Sequence, residues 1–311
     1  MRVVYLLSRE SAALETLTDP LALAVSDWDG AHREHLALAR RTAEAAMWQD
    51  AQAVALLLWP SPTGGDNTPA ARLTTLEERI ARLEAFGVFE TLLVAPTPPE
   101  APDADAALAW LRGLGELRAL LTEARPREAL ARLWPAGLAE AARAAGIAVE
   151  QEGDASGESE RIRGLVEAGR MREATAALGY AYTLTGEVVG GDRRGRLLGF
   201  PTANLRAEPS KLTPGDGIYA AWAWLPGDRT AWPAAISVGV RPTFGQGARR
   251  QVEAHLLDVT MDLYGLQLRL AFVDWLRAEL RFESVEALIE QMNADREHSR
   301  RILRAETTDA D

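Results

Sequence analysis

Residues 251–258 read QVEAHLLD. Taken as a strand, the segment turns Glu253, His255 and Leu257 to one side and Val252, Ala254 and Leu256 to the other. A carboxylate and an imidazole cost free energy on a largely buried strand unless they are paired or put to use; on a partly solvated edge strand they would be ordinary surface groups. A glutamate held within hydrogen-bond reach of an alcohol can orient it and accept its proton. A second stretch carries polar groups of a different kind. Residues 191–205, GDRRGRLLGFPTANL, join a glycine-rich turn carrying arginines to an extended run containing Thr202 and Asn204. Glycine lets backbone approach a polyanion, arginine adds positive charge, and Pro201 pushes Phe200 towards an extended conformation. Two residues apart, Thr202 and Asn204 point the same way and offer a hydroxyl and an amide oxygen, a donor pair suited to a hard cation. The plainer reading of this segment is a β-turn with a following strand.

The elements that must hold these groups change character along the 311 residues. In the first half, residues 3–7, 21–25, 54–59 and 88–94 read as strands. A helix is expected from Arg33 to Met47, and Thr75 with Glu78 forms a capping box that opens another. Strand and helix alternate, which predicts a parallel α/β sheet. From the proline-rich loop at 96–102 to Ile147, Ala, Leu, Arg and Glu predict helix throughout. Residues 158–178 predict one or two short helices broken at Gly169, and the domain boundary is placed at 180, giving units 1–180 and 181–311. Beyond it, short β-branched and aromatic runs alternate with turn signals, which predicts a small antiparallel barrel. A last helix follows the N-cap Ser284.

Composition narrows the chemistry. The hydrophobic fraction of 47% is ordinary for a soluble chain, with no apolar run of transmembrane length and no secretory signal pattern. Having no cysteine, the chain has no disulfide or thiolate chemistry, which fits a cytoplasmic protein. The net charge of −11 divides into −9 for residues 1–181 and −2 for residues 182–311. So acidic a first half suits neither nucleic acid nor a nucleoside triphosphate without local compensation. Lys211 is the one lysine, against 33 arginines, and lies in a polar loop, so amine catalysis has a single candidate.

Five motifs together carry a specific resemblance: GEVVGGDRRGRLLGFPTANL, DGIYAAWAW, ISVGVRPTF, VEAHLLD with DLYG, and LRAELRFES. In this order and spacing, residues 183–304 resemble the riboflavin kinase module, which in bacteria usually forms the C-terminal half of the bifunctional riboflavin kinase/FAD synthetase (FMN adenylyltransferase) family. The resemblance implies a six-stranded Greek-key barrel that transfers the ATP γ-phosphate to the riboflavin 5′-hydroxyl, with riboflavin as substrate and FMN as product. It implies that Thr202 and Asn204 bind Mg²⁺ with the nucleotide phosphates, that Glu253 is the general base, and that Gly191, Gly195 and Arg196 belong to a turn closing over the phosphates. By the same resemblance His255 and Leu257 contact nucleotide, while Arg277 and Glu279 lie on the segment that closes over the flavin. The family usually has Asn where this chain has Ser237.

The first half resembles the family's adenylyltransferase domain, a Rossmann-like nucleotidyltransferase fold, with losses. SDWDGAHREH at 26–35 resembles GxFDGxHxGH and keeps Asp29, Gly30, His32 and His35, but Ser26 and Glu34 replace glycines. ESERIRG at 158–164 resembles ISSTxIR and keeps Ser159, Ile162 and Arg163, while Glu158 and Glu160 replace hydroxyls that hold the triphosphate. Trp59-Pro60-Ser61-Pro62 lacks the histidine of a Pro-His-Pro motif, and the Asp-Phe-Arg-Phe-Gly run has no counterpart at 114–150. Carboxylates set against a triphosphate repel it. The expectation is a retained fold with weak or absent FAD synthesis, in which His32 and His35 are two surface polar residues at a helix start. Two other readings stand beside it: a fully bifunctional enzyme, and a non-catalytic flavin-binding protein, which would need no general base. The expected partners are small molecules, riboflavin and ATP, with no nucleic acid and no membrane, and a homo-oligomer is left open.

Overall fold

The computed structural model describes residues 1–6, 17–59, 71–96, 103–125, 131, 133–190, 199–240, 250–259 and 261–308. They form two compact units, Met1–Arg161 and Ile162–Asp311. The border falls inside a helix, upstream of the expected position at 180.

The first unit is built on a six-stranded parallel sheet of order β1-β4-β3-β2-β5-β6. Its strands are β1 (Arg2–Tyr5), β2 (Leu17–Ser26), β3 (Gln52–Trp59), β4 (Thr91–Pro96), β5 (Gly115–Thr122) and β6 (Ala148–Gln151). The helices are α1 (Arg33–Gln49), α2 (Leu76–Ala85), α3 (Ala104–Arg112) and α4 (Leu138–Ala144). Alternation within the central strands feeds two cores. Leu21, Leu23, Val25, Val54 and Leu56 pack with Leu108 and Leu111 of α3 and Leu138 of α4. Ala22, Ala24, Ala55 and Leu57 pack with Leu38 of α1 and Leu83 of α2. Both faces are covered, so β3 reads as a continuous apolar run. Each fully buried Leu or Val there contributes about 1.5–3 kcal/mol. The capping box at Thr75 forms in full: Thr75 Oγ1 accepts from Glu78 N at 3.2 Å and Glu78 Oε2 accepts from Thr75 N at 3.0 Å.

One expectation is corrected. The stretch up to Ile147 is not helical throughout, because β5 lies inside it between β2 and β6. Its residues are good helix formers, but Leu120 and Leu121 are fully buried in the sheet, and tertiary burial outweighs a propensity worth tenths of a kcal/mol per residue.

Helix α5 (Ala155–Glu167) follows β6, and α6 (Met171–Leu178) leads to the second unit's strands. These are β7 (Tyr182–Val189), β8 (Ala203–Ala207), β9 (Gly217–Trp224), β10 (Trp232–Val240), β11 (Arg250–Leu256) and β12 (Gln267–Arg277). They close an antiparallel barrel of order β10-β11-β8-β7-β12-β9, as the sequence predicts. Tyr182, Tyr219 and Phe272 fill it together with small residues such as Ala221, Ala223 and Ala234. Lys211, in the loop between β8 and β9, is buried, with Nζ 4.7 Å from the Tyr182 ring centroid. Helix α7 (Val285–Thr308) closes the unit, capped by Ser284 Oγ, which accepts from Ala287 N at 3.2 Å. Among the described residues no helix is long and apolar enough to cross a membrane.

Candidate functional site

A transverse row of polar residues crosses β8, β11 and β10 of the barrel. Glu253 on β11 is the direct partner of Asn204 on β8 and of Ser237 on β10. Directly opposed residues share a face, so the three side chains line up across three strands. Thr202, just before β8, completes the group, its hydroxyl donating to Glu253 Oε2 at 3.3 Å. Asn204 is 7% exposed, and its Oδ1 accepts from the Gln251 side-chain amide. Gln251 thereby fixes which way the Asn204 amide faces. It lies two residues before Glu253, on the same period-two stripe, which is the signal by which the sequence could have revealed it.

Thr202 Oγ1 and Asn204 Oδ1 are neutral hard oxygens. Each is engaged in one hydrogen bond and keeps lone-pair capacity. That donor set suits a cation whose remaining ligands are phosphate and water. Thr202 also lines a cavity of about 440 Å³, together with Val188, Ala254, Leu256, Met261 and Tyr264. The cavity wall is largely apolar with a tyrosine at its mouth, and Thr202 joins it to the carboxylate.

The other expected site residues fall in different places. His255 Nδ1 donates to Pro201 O at 2.9 Å and its ring meets Phe200 edge-on at 5.5 Å, so it braces the corner that presents Thr202. Burial holds the His255 imidazole below its usual value, although the Pro201 carbonyl works against this. Leu257 is 1% exposed, donates its N–H to Pro233 O at 2.8 Å and does not line the cavity. Arg277 is held by Asp295 of α7 through two bonds, Nε to Oδ1 at 2.9 Å and Nη2 to Oδ2 at 2.6 Å. Glu279 lies against β10, accepting from the Ser237 hydroxyl at 3.3 Å. Gly191, Gly195 and Arg196 lie outside the described residues.

In the first unit, strand order reverses beside β2, where β3 and β4 run to one side and β5 and β6 to the other. In open α/β sheets the ligand crevice lies beyond the carboxyl ends of the strands at that point. The segments that meet there are bound to one another. Asp29, fully buried, accepts from Leu73 N, Thr74 N, Thr74 Oγ1 and Arg79 Nη2 at 2.8–3.2 Å. His32 and His35 are buried, at 1% and 0% exposure, which corrects the expectation of surface residues. Ser159 Oγ donates to Asp29 O at 2.8 Å, so His32 Nε2, 2.9 Å away, carries the proton that reaches Ser159. His32 N donates to His35 Nδ1 at 3.3 Å, which leaves the His35 proton on Nε2, 3.6 Å from Asp27 Oδ1. Arg163, four residues past Ser159 on α5, is half-buried.

The amino end of α5 is already occupied by carboxylates. Glu123, just past β5, accepts from Ser156 N at 2.7 Å and from Ser156 Oγ at 2.6 Å, and Asp154 Oδ1 accepts from Gly157 N at 3.1 Å. Burial pushes the Glu123 carboxyl up. Alongside is a cleft of about 690 Å³ lined by Glu34, Asp154, Gly157, Glu158, Glu160 and Arg161. Its one guanidinium is already paired, Arg161 with Glu158 through two bonds of 2.7 Å.

This buried cluster makes the unit acid-sensitive. Burial first, and then His35, push His32 down to about 2 from its ordinary 6.5. Burial would raise Asp27, but His35 and Arg79 hold it below the usual carboxylate range. In both cases the unfolded chain binds a proton that the folded chain refuses, so stability falls as pH drops below about 6.5. The urea midpoint of the first unit is expected to be lower at about pH 5 than at about pH 7, and the dependence should weaken in H32Q. Equal midpoints at both values would contradict the neutral, buried His32.

Comparison with known proteins agrees with this architecture. The family described as Flavokinase, riboflavin kinase, matches residues 178–303. The bifunctional riboflavin kinase/FMN adenylyltransferase of Escherichia coli K12 is 30% identical over 292 residues, spanning 88% of this chain and 90% of that protein. The Listeria monocytogenes protein of the same description is 37% identical over 142 residues, 46% of this chain and 45% of its own length. A crystal structure from Streptococcus pneumoniae, described as a macrolide-efflux protein, covers 96% of this chain with TM-score 0.78 at 24% identity, a likeness of fold alone. The chain belongs to the bifunctional riboflavin kinase/FMN adenylyltransferase family.

Proposed function

We propose that this protein phosphorylates riboflavin at the barrel and that its first unit no longer adenylylates FMN. The observation that carries the kinase reading is the Thr202–Glu253 hydrogen bond beside Asn204, with Thr202 also lining the cavity. ATP takes the cavity, its base against the apolar wall and Tyr264, with its phosphates towards Thr202. Riboflavin brings its 5′-hydroxyl to Glu253. The hydroxyl oxygen forms a bond to the γ-phosphorus, the bond from that phosphorus to the ADP oxygen breaks, and the hydroxyl proton passes to the Glu253 carboxylate. Thr202 fixes that carboxylate, and Gln251 fixes the Asn204 oxygen. Magnesium bound by Thr202 and Asn204 would supply charge neutralisation and alignment of the phosphates. A non-catalytic flavin binder would have no use for a carboxylate so placed.

The reading of the first unit rests on charge. The backbone N–H groups at the start of α5 that could meet a phosphate are taken by Glu123 and Asp154. Glu34, Glu158 and Glu160 line the neighbouring cleft, and although Glu34 and Glu160 are exposed to solvent, their charges oppose a triphosphate there. The imidazoles that would steady a phosphate are turned inward. The purified protein, given ATP, Mg²⁺ and riboflavin, is expected to accumulate FMN without converting it to FAD. Chromatography of the products decides between the readings: FAD formed at a rate comparable to FMN restores the bifunctional enzyme, and no FMN leaves a flavin-binding protein.

A further inference from the structure

One contact on the outer face of β10 plays no part in the phosphoryl-transfer scheme. Ser237 faces Glu253 across the β10–β11 ladder, and Gly239, two residues on, faces Gln251. Alternation puts Ser237 and Gly239 on one face with Glu253 and Gln251. Glu279 reaches this face from the segment that follows β12. Its Oε1 accepts from the Ser237 hydroxyl at 3.3 Å. A Cβ on Gly239 would stand 2.4 Å from that same oxygen and 2.6 Å from Oε2. Gly239 has no positive φ, so its backbone conformation does not call for glycine; what a side chain there would do is displace the Glu279 carboxylate. Among the described residues Ser237 is the one hydrogen-bond donor to Glu279.

We propose that Ser237 and Gly239 form a seat for Glu279 and that Ser237 is a positioning residue for riboflavin. The seat holds the segment after β12 against the ladder while the flavin's hydroxyl meets Glu253. A serine hydroxyl has one proton to give. Giving it to Glu279 leaves the oxygens of Glu253 to Thr202 and to the substrate, and turns the second carboxylate towards β10 rather than towards the base. The inference rests on the riboflavin kinase reading and on Glu279 belonging to the flavin-covering segment. It adds a residue that the family pattern, with its usual Asn at this position, does not carry.

The test uses the full chain, with riboflavin binding followed by quenching of flavin fluorescence and turnover measured separately. S237A is expected to raise the riboflavin Kd and KM about fivefold, the net worth of one hydrogen bond, with the KM for ATP unchanged. G239A should weaken riboflavin in the same way, because its methyl group evicts the carboxylate. S237T, which keeps the donor, should bind riboflavin as the unaltered protein does. S237A/E279A should be no weaker than E279A, since both changes break one contact. Unchanged riboflavin affinity in S237A and G239A overturns the proposal, as do losses that multiply in the double variant. Failure of the unaltered protein to make FMN would remove the kinase reading instead, and binding measured by fluorescence keeps the two failures apart.

Discussion

E253Q is expected to lower kcat by about 10²–10⁴ while leaving riboflavin affinity nearly intact. Glutamine keeps the size of the side chain and still offers an oxygen to the Thr202 hydroxyl, now 3.3 Å from Glu253 Oε2. What it loses is the ability to take a proton. Phosphoryl transfer makes limited demands on a base, because its loose transition state needs mostly positioning and charge stabilisation. The loss should therefore fall nearer the lower end of that range. Because the amide still accepts from Thr202, the corner at Pro201 and Thr202 has no reason to move, and a fall in turnover can be attributed to proton acceptance. Chromatographic rates of FMN formation, set beside flavin fluorescence titrations of the same preparation, check both halves. Turnover close to that of the unaltered enzyme would remove Glu253 from the mechanism. Loss of riboflavin binding in parallel with turnover would make Glu253 a binding group rather than a base.

Local rules carried much of the fold. The capping box at Thr75 and the Ser284 cap depend on residues within one turn, and both appear as the sequence predicts. The barrel strands follow from alternation and turn spacing. β5 was missed because LRALLT is written in helix-forming residues, and only its neighbours β2 and β6 make it a strand. Of the residues proposed for the kinase site, Thr202, Asn204 and Glu253 were legible from residue type and motif order. Their adjacency was not, since it depends on which register β11 takes against β8. Gln251 could have been found from the same stripe as Glu253. Ser237 could not, because its significance comes from a carboxylate 42 residues away. The first unit shows the same limit. Glu34, Glu158 and Glu160 announced a charge problem from the sequence, but Glu123, which takes up the start of α5, lies 33 residues before Ser156 and carries no motif. The histidines were misplaced for a related reason: the hydroxyl that meets His32 belongs to Ser159, 127 residues further along the chain.

Arg79 is where the first unit should be most vulnerable, and R79M is expected to destabilise that unit by about 3–5 kcal/mol, the usual cost of leaving one partner of a buried ion pair alone. Arg79 and Asp29 are both fully buried and lie 2.8 Å apart. The guanidinium also donates to Asp27 O at 2.6 Å and to Thr74 Oγ1 and O at 3.2 Å, and stands 5.1 Å from the centroid of Trp59. Methionine can fill much of the space but satisfies none of these acceptors, and the Asp29 carboxylate remains buried with only neutral donors. D29N should cost a comparable amount from the other side, because it leaves the guanidinium without its counter-charge. The double change D29N/R79M should cost less than the sum of the two, since no isolated charge is left. Urea unfolding checks this as a shift of midpoint at constant slope. A loss below about 1 kcal/mol in R79M, the range of exposed pairs, would show that the pair contributes no more than a surface contact. The result bears on function as well as stability. If the cost is as large as expected, Asp29 has been kept by the need to neutralise Arg79, and its presence in the motif at 26–35 says nothing for a surviving adenylyltransferase.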